Sequence, residues 1–186
     1  MNNLITYILF LVLFFAICAD MYFCTNIILQ IFCIFLLVLL VTLRATGFEP
    51  RACPNAGSSW TCQTPGLWLR GDAVTAPVTD WSFTDAVPTI KIETQSPWLL
   101  PYSVAAWCTT YNGSLYFTSY RGRRWTEDIV STPHVRLKIG DQLFEKDVVM
   151  VEDTAEKAAV IAAKAKKYPS WKAPKVEAAT VFRVVS

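Results

Sequence analysis

The sequence predicts an α+β chain, mainly β. Its core is a small antiparallel barrel, closed or partly closed, with one or two helices, preceded by an N-terminal transmembrane helix or helical hairpin. Three observations predict this. Charge is partitioned: among residues 1–43 only Asp20 is charged, while all 17 Lys/Arg and the remaining acids lie beyond. Short segments of period two recur between Val87 and Val185. One Ala- and Lys-rich segment, Asp153 to Lys167, carries helix signals at both ends. The resulting organisation is 1–45 for the transmembrane segment or segments, 46–86 for a Pro/Gly/Trp-rich linker and extension, and 87–186 for the barrel.

Leu4 to Ala19 is nearly continuous apolar sequence, and Met21 to Leu43 is a second run, densest from Ile31 onward. A spanning helix needs roughly 20 apolar residues, which the second run supplies and the first only approaches. Three arrangements stay open: a two-span hairpin with Asp20 near its turn, a single span with the first run in the interface, or a signal anchor starting at Met21. Either way the lipid bilayer is a partner. Sidedness stays open too. Arg44 and Arg51 follow the second run, which by positive-inside counting puts the soluble domain in the cytoplasm. Cys53 and Cys62, in a Pro/Gly/Ser-rich loop, suit a disulfide in an oxidising compartment or two free thiols in a linker.

In the extension, Trp60, Trp68 and Trp81 are expected to cover apolar surface. Thr89–Thr94 alternates as a half-buried strand should, and the proline-bearing stretch 95–101 connects it to a strand over Ser103–Thr110. Tyr111-Asn112-Gly113-Ser114 signals a tight hairpin, because Asn-Gly tolerates the positive φ angles such a turn requires. Leu115–Ser119 is its return strand. Arg121–Ser131 has helix character and is stopped by Pro133. His134–Ile139 and Leu143–Val151 form a second hairpin around Gly140-Asp141. Asp153 then caps a helix, with Glu156 in the capping-box position and Lys164, Lys166 and Lys167 at the closing end. An Ala face (Ala155, Ala158, Ala159, Ala162, Ala163) is expected to pack on the sheet, and Ala179–Val185 is the last strand.

Composition excludes several functions. With 17 basic residues set against 15 acidic ones, the charge is too balanced for nucleic acid. His134 is the only histidine, so a multi-histidine zinc site is excluded, and it is expected at the surface. Cys108, in a strand, reads as a buried inert thiol.

The segments Tyr111–Ser119, Trp125–Val135 and Leu143–Val151 resemble the hairpin, helix entry and following strand of the flavin-binding split-barrel superfamily. That superfamily comprises the pyridoxamine-phosphate oxidase-like and deazaflavin-dependent nitroreductase-like proteins. The resemblance implies a split β-barrel, FMN or a deazaflavin as cofactor, and a homodimer with the cofactor at the interface. It also implies that the cofactor phosphate is held in the stretch from Thr118 to Trp125.

Physical chemistry points to the same stretch. Thr118, Ser119, Arg121, Arg123, Arg124 and Trp125 put guanidinium, hydroxyl and backbone N–H donors at a strand end just before a helix N-terminus. The alternatives are a solvated basic turn, with Arg123 and Arg124 paired to Glu127 and Asp128, or a phospholipid contact. Trp98, Tyr102, Trp107 and Tyr116 are candidate walls for a flavin ring. The expected function is a membrane-anchored flavin- or deazaflavin-binding oxidoreductase acting on a small or membrane-dissolved acceptor. The alternative is a non-catalytic membrane-anchored module that binds another membrane or envelope protein.

Overall fold

The computed structural model describes residues 27–51, 64–96, 100–120 and 122–185. Two compact units divide the chain at Ala45 and Thr46. In the first, helix α1 (Ile27–Thr46) exposes Ile27, Ile31, Phe32, Ile34, Phe35 and Val38 around its circumference. Its 20 residues rise about 30 Å, the thickness of a bilayer core. By length and composition α1 fits a membrane anchor and a signal sequence equally well. The hairpin alternative around Asp20, the Cys53–Cys62 bridge, Trp60, Trp98 and Arg121 lie outside the described residues.

In the second unit the chain forms β1 (Asp72–Ala73), a 3-10 turn (Ser82–Ala86), β2 (Ile90–Thr94), β3 (Tyr102–Ala106), β4 (Cys108–Tyr111) and β5 (Ser114–Ser119). Helix α2 (Arg124–Ser131), β6 (His134–Ile139), β7 (Gln142–Met150), α3 (Thr154–Lys167), a second 3-10 turn (Val176–Ala178) and β8 (Thr180–Val184) complete it. The sheet runs in the order β3-β2-β6-β7-β8-β5-β4 with antiparallel neighbours throughout, and β1 adds to β7 in parallel. β7 is long enough to serve both ends of this curled sheet. Its Gln142–Asp147 stretch pairs with β6, and Val148–Met150 pairs with β8. The β4–β5 turn is as the sequence requires, with Asn112 at φ 49° and Gly113 at φ 74°.

One strand expected over Ser103–Thr110 is two. The chain breaks at Trp107, so β3 pairs with β2 while β4 pairs with β5. Trp107 is held at that corner by stacking on Tyr168, with ring centroids 4.8 Å apart. The helix expected from Arg121 starts at Arg124. Helix α3 begins as expected, with the Asp153 carboxylate accepting from the amides of Ala155 and Glu156. Its buried side chains, however, are Val160, Ile161 and Lys164, while Ala155, Ala158 and Ala162 face solvent. The larger side chains win the buried face because they remove more apolar area from water.

β5 is buried on both faces. Leu115, Phe117 and Ser119 point into the barrel, where Phe117 packs on Phe182 and Trp125. Tyr116 points the other way, into a second cluster with Val160, Ile161 and Val181. Trp81 lies in the main core at 0% exposure, in ring contact with Phe144 and Phe83. Thus part of the irregular extension supplies the core rather than only covering it. Another part forms a strap: the amide of Leu67 donates to the carbonyl of Phe48 at 2.6 Å, and Gly66 exchanges backbone bonds with Ser103 on β3. Glu49 anchors the strap to Lys91 of β2 and, at 2.6 Å, to Lys138 of β6.

Candidate functional site

The residues of the basic turn do not all converge. Successive side chains of a strand point to opposite faces, so Thr118 and Ser119 diverge. The Thr118 hydroxyl faces α3 and accepts from Lys164 Nζ at 2.5 Å. Ser119 is buried and shares a hydrogen bond with Thr126 of α2. Trp125 is buried in the core against Phe117 and Phe182. Arg123 and Arg124 come together at the start of α2, both exposed. Arg123 is the N-cap residue in extended conformation, and no side chain caps this helix end. Its guanidinium lies over Tyr120, 5.5 Å from the ring centroid. Arg124 donates to Ser96 at 2.9 Å and lies over Tyr102 at 5.0 Å. Neither arginine has a carboxylate at ion-pair distance among the described residues; Asp128 instead accepts from Thr94 at 3.2 Å. Pairing with Glu127 and Asp128 is therefore not how the turn is arranged.

The expected ring walls do not meet either. Trp107 is covered by Tyr168, Tyr116 is buried with its hydroxyl on Glu156 at 2.8 Å, and Tyr102 lies beneath Arg124. A cleft lined by Arg70, Val74, Pro77, Arg136, Glu145 and Lys146 opens beside β1 and β7 and shares no residue with the turn.

A second cluster, with no motif of its own in the sequence, lies around α3. Lys164 of α3 is 3% exposed, and its Nζ also faces the Trp107 carbonyl at 3.4 Å and the Trp171 ring at 4.6 Å. Burial, opposed by Cys108 and reinforced by the nearby Lys167 charge, lowers its pKa to about 8. Lys167, one turn on, donates to the Thr84 carbonyl at 2.9 Å and approaches the Cys108 sulfur at 3.8 Å. Cys108 is fully buried, and that burial pushes its thiol above its ordinary pKa. Spacing could have exposed Lys164: it lies three and four residues after Ile161 and Val160, on the same helix face.

The chain carries two sheet halves on one shared strand, β7, while β3 and β4, consecutive in sequence, share no ladder among the described residues. The domain is a split β-barrel. No protein-family model matches the sequence, nor does any curated protein. Solved structures do match. A conserved hypothetical protein of Mycobacterium tuberculosis is 17% identical with a TM-score of 0.49, over 63% of this chain and 84% of that one. A protein of Listeria innocua assigned as a pyridoxamine 5'-phosphate oxidase is 15% identical with a TM-score of 0.45, over 54% and 85%. A protein of Bacteroides thetaiotaomicron assigned to 5-nitroimidazole antibiotic resistance is 16% identical with a TM-score of 0.47, over 65% and 82%. At these scores no residue's role is carried over to the present chain.

On the outer surface of the split barrel, His134 bridges two carboxylates of β7, Glu145 at 2.8 Å and Asp147 at 2.9 Å. The Glu145 bond, against some desolvation and with help from Asp147, raises the His134 pKa. A raised folded pKa contributes stability fully below the unfolded value of about 6.5, and that contribution is lost as pH rises through the folded value. The melting temperature of His134→Gln should therefore fall below the parent's at about pH 6, and the gap should close by about pH 9. A gap that stays constant over this range would show that the imidazole acts by packing alone.

Proposed function

We propose that the split barrel binds a flavin nucleotide, FMN or a deazaflavin, with its phosphate at the Arg123–Arg124 turn, and works as an oxidoreductase on a small or membrane-dissolved acceptor. The carrying observation is the uncapped N-terminus of α2 flanked by two arginines that have no carboxylate partner among the described residues. Such an end presents backbone N–H donors and positive potential, and the guanidinium forks match phosphate oxygens. The residues present thus fit the phosphate. When bound, a flavin supplies the hydride or electron transfer. Arg123 and Arg124 would hold and orient the phosphate, and the rings of Tyr120 and Tyr102 already lie beneath their guanidinium groups. In this reading α1 is the membrane anchor, and a second copy of the chain completes the ring slot.

The second reading, a non-catalytic binding module, is favoured by Trp107 and Tyr116, which are already packed against the chain itself. One experiment separates the two. The full chain in mild detergent is titrated with FMN and with a deazaflavin, and binding is read by absorbance and fluorescence. Arg123→Ala or Arg124→Ala should each weaken binding about 10- to 150-fold, the equivalent of losing about 1.5 to 3 kcal/mol from a charge-assisted contact. Both variants should melt close to the parent, because exposed arginine contacts contribute only about 0 to 1 kcal/mol. The loss should shrink at high salt. Glu127→Gln is the control and should bind normally. Absence of uptake by the parent favours the binding module.

A further inference from the structure

The Lys164 cluster belongs to neither reading of the basic turn. A lysine this deep is ordinarily paired with a carboxylate, yet Lys164 has none at ion-pair distance among the described residues. Its Nζ is met by the Thr118 hydroxyl, the Trp107 carbonyl and the face of Trp171. Around it are flat aromatic faces, with Trp107 stacked on Tyr168 and its own ring 6.0 Å from Nζ. Trp171, half-buried, is in a stretch without regular structure between Pro169 and Pro174, tied back by its amide to the Tyr168 carbonyl at 2.9 Å. Like Trp107 and Tyr168, it rests on neither a strand nor a helix, and its segment is the longest irregular one around the cluster.

We propose that Lys164 is a carbonyl-reactive amine, covered by Trp171, that captures small flat aldehydes as an imine. In the capture step the neutral Nζ lone pair attacks the carbonyl carbon. A C–N bond forms, the C=O π pair moves to oxygen, and the oxygen takes up the proton released by nitrogen. The resulting carbinolamine expels water as C=N forms, so that aldehyde and neutral amine give imine and one water, and the imine nitrogen takes back the proton the ammonium had lost to become the iminium, with no change of oxidation state. The acceptors that hold the ammonium now would hold the iminium N–H afterwards, and the tryptophan faces would flank the aldehyde's substituent. The titratable groups facing Nζ are Lys167 on the same helix and Cys108 on β4, with Tyr168 beyond them and Asp85 3.9 Å from Lys167 on the far side. With the amine's pKa at about 8, roughly a quarter of it is neutral near pH 7.5, against about one in a thousand for an ordinary lysine.

The test uses the full chain in mild detergent with benzaldehyde and sodium cyanoborohydride, followed by peptide mass mapping. Lys164 should be alkylated at least about 10-fold faster than exposed Lys166 and Lys172, at a rate that rises with pH and levels off above about pH 8. Trp171→Ala should accelerate the reaction further. If Lys164 reacts more slowly than Lys166 and Lys172 in both the parent and Trp171→Ala, the proposal is overturned. Flavin binding is read separately, so the outcome does not depend on the basic turn.

Discussion

Trp81→Ala should destabilise the split barrel by about 3 to 5 kcal/mol, the usual cost of emptying a buried aromatic site. Trp81 has no exposed surface, and its ring lies 5.3 Å from Phe144 and 5.8 Å from Phe83. Its amide also donates to Gly113 at 2.9 Å, joining the extension to the β4–β5 turn. Its indole Nε1 has no hydrogen-bond partner among the described residues, so a substitution that keeps an aromatic ring and removes the N–H loses less. Trp81→Phe should therefore cost clearly less than Trp81→Ala. Urea denaturation of the full chain in detergent, followed by near-ultraviolet circular dichroism, measures both. A cost below about 1 kcal/mol for Trp81→Ala would mean that this tryptophan covers the core rather than filling it.

Gly66→Ala is expected to cost about 3 kcal/mol, at the top of the range for overpacking. A Cβ built there meets the Phe48 carbonyl oxygen at 2.3 Å, the Pro50 nitrogen at 2.5 Å and Ser103 Oγ at 2.6 Å. Two of these three atoms are backbone and cannot swing aside, so the strap must lift. Lifting it breaks the Leu67-to-Phe48 bond and the two bonds to Ser103, and pulls Glu49 from Lys91 and Lys138. Amide exchange should consequently quicken at Leu67 and Ser103 while remaining slow at Phe117 and Leu137. Unchanged protection at Leu67 would contradict this picture.

How much of this was legible depended on whether the signal was local. Asn112-Gly113 announced its turn because the constraint is a pair of φ angles. Asp153 announced α3 because capping involves neighbouring amides. The break at Trp107 was invisible, since strand-forming residues run straight through it and only tertiary contacts with Tyr168 and Lys164 turn the chain there. The depth of Trp81 was hidden for the same reason, as no period surrounds it. In the basic turn, Thr118 and Ser119 are adjacent along the chain, yet strand alternation separates their hydroxyls. The exposed pairing of Arg123 and Arg124 at a helix start was readable. Their freedom from Glu127 and Asp128 was not, because Asp128 is drawn inward by Thr94.

The position of β8 carries a consequence for biosynthesis. This strand sits between β7 and β5, yet along the described residues it follows all the others. While the polypeptide emerges from the ribosome, β5 and the outer half of β7 must wait with unpaired edges until residues 180–184 arrive. Such distant pairing makes for slow folding, and open edges in the meantime invite intermolecular pairing. Nascent chains stalled before Thr180 should thus depend on chaperones and precipitate when these are withdrawn, whereas chains extended past Val184 should close.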